Sequence, residues 1–274
     1  ANAANSSGDS ALIGATGGGH TEIVQALIAA GADVNATFAA GIGAVSFARH
    51  GRYTDIEQAL LAAGAGAPAA DTIGLAVARL THHTEAEQAL VAAGADAAAA
   101  DALLEALGAR APTEFCAALS GNEVEGATTK GSKVTACLDK PMAAGARIRR
   151  FVVSFGTGGD SDQYFGVLEG SVDTKEAGYY ALRESNGWCV KHGSRPYAGG
   201  SEVPGAEEWT LKGHTIEMVV DMVARKVHFY DRDNEMRVTL SGLPDSVMPC
   251  VGLYGSNTAT ALDRDGALLD AASK

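Results

Sequence analysis

Three copies of one pattern occupy the first part of this chain. GHTEIVQALIAAGADVNA runs from Gly19 to Ala36, TDIEQALLAAGAGA begins at Thr54, and TEAEQALVAAGADA begins at Thr84. The three threonines are 33 and 30 residues apart, and upstream of them Leu12, Val45 and Leu75 fall into register, as do Ala15, Ala48 and Ala78. A period of this size marks a stacked array, in which no copy can cover its apolar face alone. Ile23, Val24, Leu27 and Ile28 share one helical face. Ala26, Ala29 and Ala30 permit close helix contact, and Gly31 suits the left-handed conformation that ends a helix. A helix of roughly ten residues is marginal in isolation, so its neighbours must supply its stability.

The unit resembles the ankyrin repeat. Gly19, His20, Ile23, Val24, Leu27, Ile28 and the run Gly31, Ala32, Asp33, Val34, Asn35 fall where that family's pattern wants them. The family's opening Thr-Pro-Leu-His is absent, and SALIG, AVSFA and GLAVA stand in its place. Residues 1–109 are expected to form about three repeats plus a terminal half-repeat. The first starts at Ser10 after a turn over Asn5–Asp9, the second spans about Phe38–Ala67 and the third about Ala69–Ala98. DALLEALG, from Asp101 to Gly108, offers Leu103, Leu104 and Leu107 to cover the last open face. The echo of Val34–Thr37 in the first four residues, and the absence of an initiator Met, lead us to expect a fragment or a processed product.

LIGATGGGH also has the look of a nucleotide-binding strand, glycine loop and helix, with Gly14, Gly17 and Gly19 near a helix start. Only Ala11, Leu12 and Ile13 precede the glycines, and the copies at Val45 and Leu75 lack them. A turn between paired helices at Gly17–Gly19 is the expectation, and a nucleotide-binding enzyme is the weakest of three functional readings.

Composition changes near Pro112. The first 112 residues hold 36 Ala, no Lys, no Cys, no Trp and only three aromatics, whereas both Trp and all four Cys lie beyond. Two architectures follow, with 110–114 as a linker and 263–274 as a polar tail. The net charge of −12 is spread over both parts without a basic stripe. Nucleic acid and anionic membrane are therefore poor partners, and no apolar run is long enough to span a bilayer.

From Phe115 the period changes. FVVSF (Phe151–Phe155), YFGVL (Tyr164–Leu168), GWCV (Gly187–Val190), IEMVVDM (Ile216–Met222), VHFYD (Val227–Asp231), MRVTL (Met236–Leu240) and CVGLY (Cys250–Tyr254) read as short strands. Gly-, Asp- and Asn-rich turns separate them, which predicts an antiparallel sandwich. Asp221, Phe229, Tyr230, Leu243, Pro244, Pro249, Val251 and Gly252 match, in order, the end of a SPRY domain. YFGVLEG resembles that family's Gly-Val strand and GWCVKHGSRPYAGG its Gly-Trp segment. The fold class implied is multidomain α + β, an α-solenoid of ankyrin-type helix pairs followed by a concanavalin-like jelly roll over 115–262.

The search for chemistry returns surfaces. GATTKGSK at Gly126–Lys133 reverses the Lys-Ser order a phosphate loop needs. Cys116, Cys137, Cys189 and Cys250 show no CxxC spacing, and Cys189 and Cys250 lie in apolar strands as core thiols. The intracellular families resembled favour reduced thiols. His82 and His83 are adjacent and diverge. Asp160 with Asp162, and Asp231 with Asp233 and Glu235, lack the ligand loop of a calcium site and read as solvated turns. No nucleophile elbow is present, so neither catalysis, cofactor nor metal is expected.

Partner proteins are the expected ligands. Phe38, Ser46, Arg49, His50, Arg79 and His82 are the candidate contacts on the repeats. The SPRY resemblance puts recognition on loops at one sandwich end, with Tyr164, Arg195 and Tyr197 as candidates and Trp188 and Trp209 as core. The leading reading is a non-catalytic adaptor, such as a scaffold or a substrate-recognition subunit. Its alternative is a structural subunit held permanently in a large assembly. The resemblances imply an intracellular, cytoplasmic protein, with organelle targeting left open by the missing Met.

Overall fold

The computed structural model describes residues 10–38, 42–68, 71–81, 83–108, 117–118, 124–125, 128–130, 134–137, 142–143, 148–158, 162–171, 181–183, 186–254 and 257–262. Two compact units divide the chain. The first comprises Ala1–Arg110, Ala144–Arg149 and Asp221–Arg225; the second comprises Ala111–Ala143, Arg150–Val220 and Lys226–Lys274.

The first unit is built of helix pairs. They are α1 (Ala11–Gly17) with α2 (Thr21–Ala29), α3 (Ala44–His50) with α4 (Thr54–Ala62), and α5 (Thr72–Leu80) with α6 (Thr84–Ala92). A last helix, α7 (Ala97–Gly108), packs on α5. Ser10 caps α1 by accepting the Ile13 amide at 3.2 Å, which satisfies one of the donors a helix start leaves orphaned. The predicted glycine ends are present, with Gly31, Gly64 and Gly94 at φ of 75°, 90° and 88°. Between α1 and α2 the chain turns at Gly19, φ 73°, and at the same place in the next copy Arg52 is forced to φ 59°. Ala11, Leu12 and Ile13, the residues ahead of Gly14 that a nucleotide loop would need as a strand, are helical. The segment once open to a nucleotide-loop reading is helix from Ala11, because Leu12, Ile13 and Ala15 bury one helical face in the stack.

First helices pack on first helices, α1 on α3 and α3 on α5, and α2 packs on α4. Leu12, Val45 and Leu75 are all buried at one repeat position. Leu27, Leu60 and Leu90 each follow their repeat's threonine by six residues, yet their burial differs. Leu60 is wholly enclosed, whereas Leu27 and Leu90 are half-buried in the outer copies. Leu60→Ala is therefore expected to destabilise the array by about 2–5 kcal/mol. Thermal unfolding checks this, and an unchanged midpoint would show that α4 is not packed as described. A two-strand hairpin, β1 (Thr37–Phe38) with β2 (Ile42–Gly43), projects between the first two copies.

The second unit is a sandwich of two antiparallel sheets. Its strands are β3 (Ala117–Ala118), β4 (Val124–Glu125), β5 (Thr128–Lys130), β6 (Val134–Cys137), β7 (Met142–Ala143), β8 (Ile148–Phe155) and β9 (Gln163–Glu169). They continue with β10 (Gly187–Lys191), β11 (Tyr197–Ala198), β12 (Ser201–Glu202), β13 (Thr215–Asp221), β14 (Lys226–Asp231), β15 (Arg237–Ser241), β16 (Ser246–Leu253) and β17 (Thr258–Leu262). One sheet has the order β12-β11-β10-β9-β16-β6-β3, with β7 also on β16; the other has the order β15-β14-β13-β8-β17-β5-β4. Every strand read from the sequence is present within a few residues. Between the sheets, Phe155, Phe165, Phe229 and Trp209 meet edge to face at 6.0–6.3 Å, the arrangement aromatic quadrupoles favour. Trp209 is core as expected, but Trp188 is half-buried, its indole N–H donating to the Ser241 carbonyl at 3.2 Å.

Candidate protein interface

Sequence placed partner contacts on the loop tips and first helices of the repeats, and there the structure shows a groove of about 270 Å³. Val34, Asn35 and Thr37 form one wall, Gly66, Ala67 and Pro68 the other, and α3 from Ala44 to Ser46 the floor. The walls are successive copies of the same loop, and one side chain ties them. Asn35 accepts the Gly66 amide at 2.9 Å and donates to the Gly64 carbonyl at 3.5 Å. Asp33 in turn accepts the Asn35 amide at 2.9 Å. None of the groove's lining residues is charged.

The two arginines read as exposed contacts hold their own repeats together. Arg49 donates to Glu57 at 3.0 and 2.8 Å and to the Pro68 carbonyl. One copy later Arg79 donates to Glu87 at 2.9 Å, to the Ala97 carbonyl at 3.2 Å and to Asp101. Each pair is eight residues apart, so the repeated Arg-to-Glu spacing was a readable sign of this fork. The first copy has Thr16 and Val24 at these places, both wholly buried.

His50 is a further correction. Its ring is 9% exposed and lies between two carboxylates, Nδ1 at 2.8 Å from Asp71 and Nε2 at 2.6 Å from Asp221. Burial by itself would lower its pKa, but the charges and hydrogen bonds of Asp221 and Asp71 outweigh it and push the imidazole up to about 10. Asp71 also caps α5 through the Gly74 amide at 2.7 Å. Asp221, fully buried, also accepts the amides of Val223 and Ala224 at 3.0 and 2.9 Å. Tyr53 completes this cluster by donating to the Val223 carbonyl at 2.8 Å. Sequence reading missed Asp71, Asp221 and Tyr53, since nothing local brings residues 50 and 221 together.

Ser46 is 7% exposed and contributes to the groove floor. Phe38 lies in β1 with its side chain outside the described residues, as is His82 altogether. In the sandwich, Tyr164 is fully enclosed with Leu168, Leu182, Cys189, Met248 and Cys250, and Tyr197 is 5% exposed in the same cluster. Neither ring presents a surface, because both sit on the sheet face this cluster covers. The Tyr197 hydroxyl donates to Glu202 at 2.8 Å. Arg195 alone of the three sandwich candidates is exposed, in the turn before β11.

Chemical centres fare differently. Burial drives the Cys189 thiol pKa upward, so it stays protonated, with its S–H directed at the Leu182 carbonyl at 3.0 Å. Cys250 is likewise a buried thiol, its S–H directed at the Met248 carbonyl at 3.3 Å. His214, Asp231 and Asp233 place ligand atoms within 4.8 Å of one another, a grouping the sequence reading saw only as acids. All three serve the β14–β15 turn or its neighbour: Asp231 holds His214 at 2.9 Å and the Asp233 amide at 2.9 Å, and Asp233 takes the Thr215 amide at 2.7 Å. Glu217, 1% exposed, is clamped by Arg150 at 2.6–2.8 Å and by Arg232. These carboxylates hold turns and strands by hydrogen bonds.

Residues 7–37 match the family model of the ankyrin repeat. No curated protein sequence matches the chain. Among solved structures, the SPRY domain of human HERC1 is similar at 17% identity and a TM-score of 0.40, over 50% of this chain and 88% of that one. The PSpry domain of TRIM65 is similar at 16% identity and a TM-score of 0.33, over 47% of this chain and 69% of that one. The sandwich itself is established by its own strand pairing. Ankyrin repeats are generally protein–protein interaction modules. Among the described residues no helix is long and apolar enough to cross a membrane.

Proposed function

We propose that this chain is a non-catalytic adaptor that binds a partner protein through the groove between its first two repeat loops. The observation that carries the reading is the groove itself, about 270 Å³ with uncharged walls braced by Asn35. An extended segment of a partner suits it. Such a segment can meet the small walls at Gly66 and Ala67 and bond to the hydroxyls of Thr37 and Ser46. The uncharged lining calls for an uncharged segment, since a desolvated charge there would lack a counter-ion.

Ala67 is exposed on the groove wall, so Ala67→Trp fills the space without disturbing the core. Linear peptides selected against the wild-type chain from a random library are expected to bind this variant at least about tenfold more weakly, a loss of roughly 1.4 kcal/mol. Its melting temperature is expected to stay unchanged. Equal affinity in a folded Ala67→Trp chain would remove the groove from the site. Loss only on Arg195→Ala would instead move recognition to the exposed turn of the sandwich.

A further inference from the structure

Comparing equivalent positions of the first two copies separates residues covered by a preceding helix pair from those covered only by their own. Ile56 on α4 is 1% exposed, and its equivalent on α2, Ile23, is 52% exposed. Ala44 on α3 is 1% exposed, and its equivalent Ala11 is exposed. Ala59 is half-buried, and its equivalent Ala26 is exposed. Phe47 is 3% exposed, and at its equivalent, Gly14, an added Cβ would meet nothing within 4 Å. The second copy is covered at these places because α3 packs on α1 and α4 on α2.

Ala11 and Gly14 are three apart on α1, and Ile23 and Ala26 three apart on α2, so each pair lies on one face of its helix. This face is apolar, built of small residues around one isoleucine, with an open notch at Gly14. An outer face left to solvent needs polar residues, and among the described residues this one offers Ala11, Gly14, Ile23 and Ala26. We propose that it is a stacking surface for one more helix pair of the same repeat type. That pair would carry a bulky apolar side chain opposite Gly14 and close Ile23 as α2 closes Ile56. The occupant follows from continuity: the face extends the repeat-to-repeat interface already formed by α1 with α3 and α2 with α4.

The test is an insertion in the full chain. A duplicate of residues 43–72, one repeat in register, is placed ahead of Ser10. The added pair is expected to raise the melting temperature of the repeats by about 4 °C or more. It is also expected to slow amide exchange over α2 about tenfold. Ile23→Asp in the parent chain, at an exposed position, is expected to change little. In the insertion chain the same substitution is expected to abolish both gains. No gain on insertion, or a gain that survives Ile23→Asp, would overturn the proposal. So would self-association of the parent chain in sedimentation that Ile23→Asp abolishes, since the occupant would then be a second copy.

Discussion

Replacing His50 with alanine is expected to destabilise the first unit by about 3–5 kcal/mol, the cost of leaving the buried Asp221 carboxylate without its cation. Asp221 is fully enclosed and meets the imidazole at 2.6 Å, and Asp71 meets its other nitrogen at 2.8 Å. The pH dependence carries its own signature. The folded-state pKa is raised from 6.5 to about 10. Stability from this group is therefore fully present below pH 6.5 and is lost as pH rises through about 10, on the order of 5 kcal/mol in all. Urea unfolding of the wild type between pH 7 and 10 reads the slope, and His50→Gln, which cannot carry charge, is expected to flatten it. An identical slope in His50→Gln would assign the alkaline loss to another group.

Gly166→Ala is the second large effect, and it falls on the sandwich. Gly166 lies in β9 between β10 and β16, opposite Cys189 on one side and Cys250 on the other. An added Cβ would come within 2.2 Å of the Trp188 carbonyl oxygen and 2.5 Å of the Cys189 Cβ. The first obstacle is backbone of a paired strand, which cannot turn aside as a flexible side chain would. A cost of about 3 kcal/mol or more is expected, at or above the usual upper range for overpacking. Gly43→Ala is the control, since its Cβ would meet nothing within 4 Å. Denaturant midpoints and near-ultraviolet circular dichroism check both. A shift below about 1 kcal/mol for Gly166→Ala would mean that β9 and β10 can part.

Residues that face the interior were the legible ones. The repeat period placed Leu12, Val45 and Leu75 in a common core, and short β-branched or aromatic runs between Gly-, Asp- and Asn-rich turns placed seven strands. Short strands such as β11 and β12 escaped because two residues of Tyr-Ala or Ser-Glu carry no periodicity, and β17 escaped because the buried positions of its alternating Thr-Ala-Thr-Ala-Leu are only alanines. The candidate contacts were harder to place. Arginine and tyrosine are enriched at interfaces, but both also fold back on their own chain. Arg49, Arg79, Tyr164 and Tyr197 do so here.

By itself the sequence determined the helical repeats, their glycine ends and the antiparallel strands, because each is a local pattern that one segment can express. Tertiary structure alone decided that Arg49 forks onto Glu57 and Pro68, that His50 lies between Asp71 and Asp221, and that Ile23 is open where Ile56 is closed. Those outcomes depend on which segments distant in sequence share a desolvated space. There the balance between burial and charge is set by neighbours that no local pattern records.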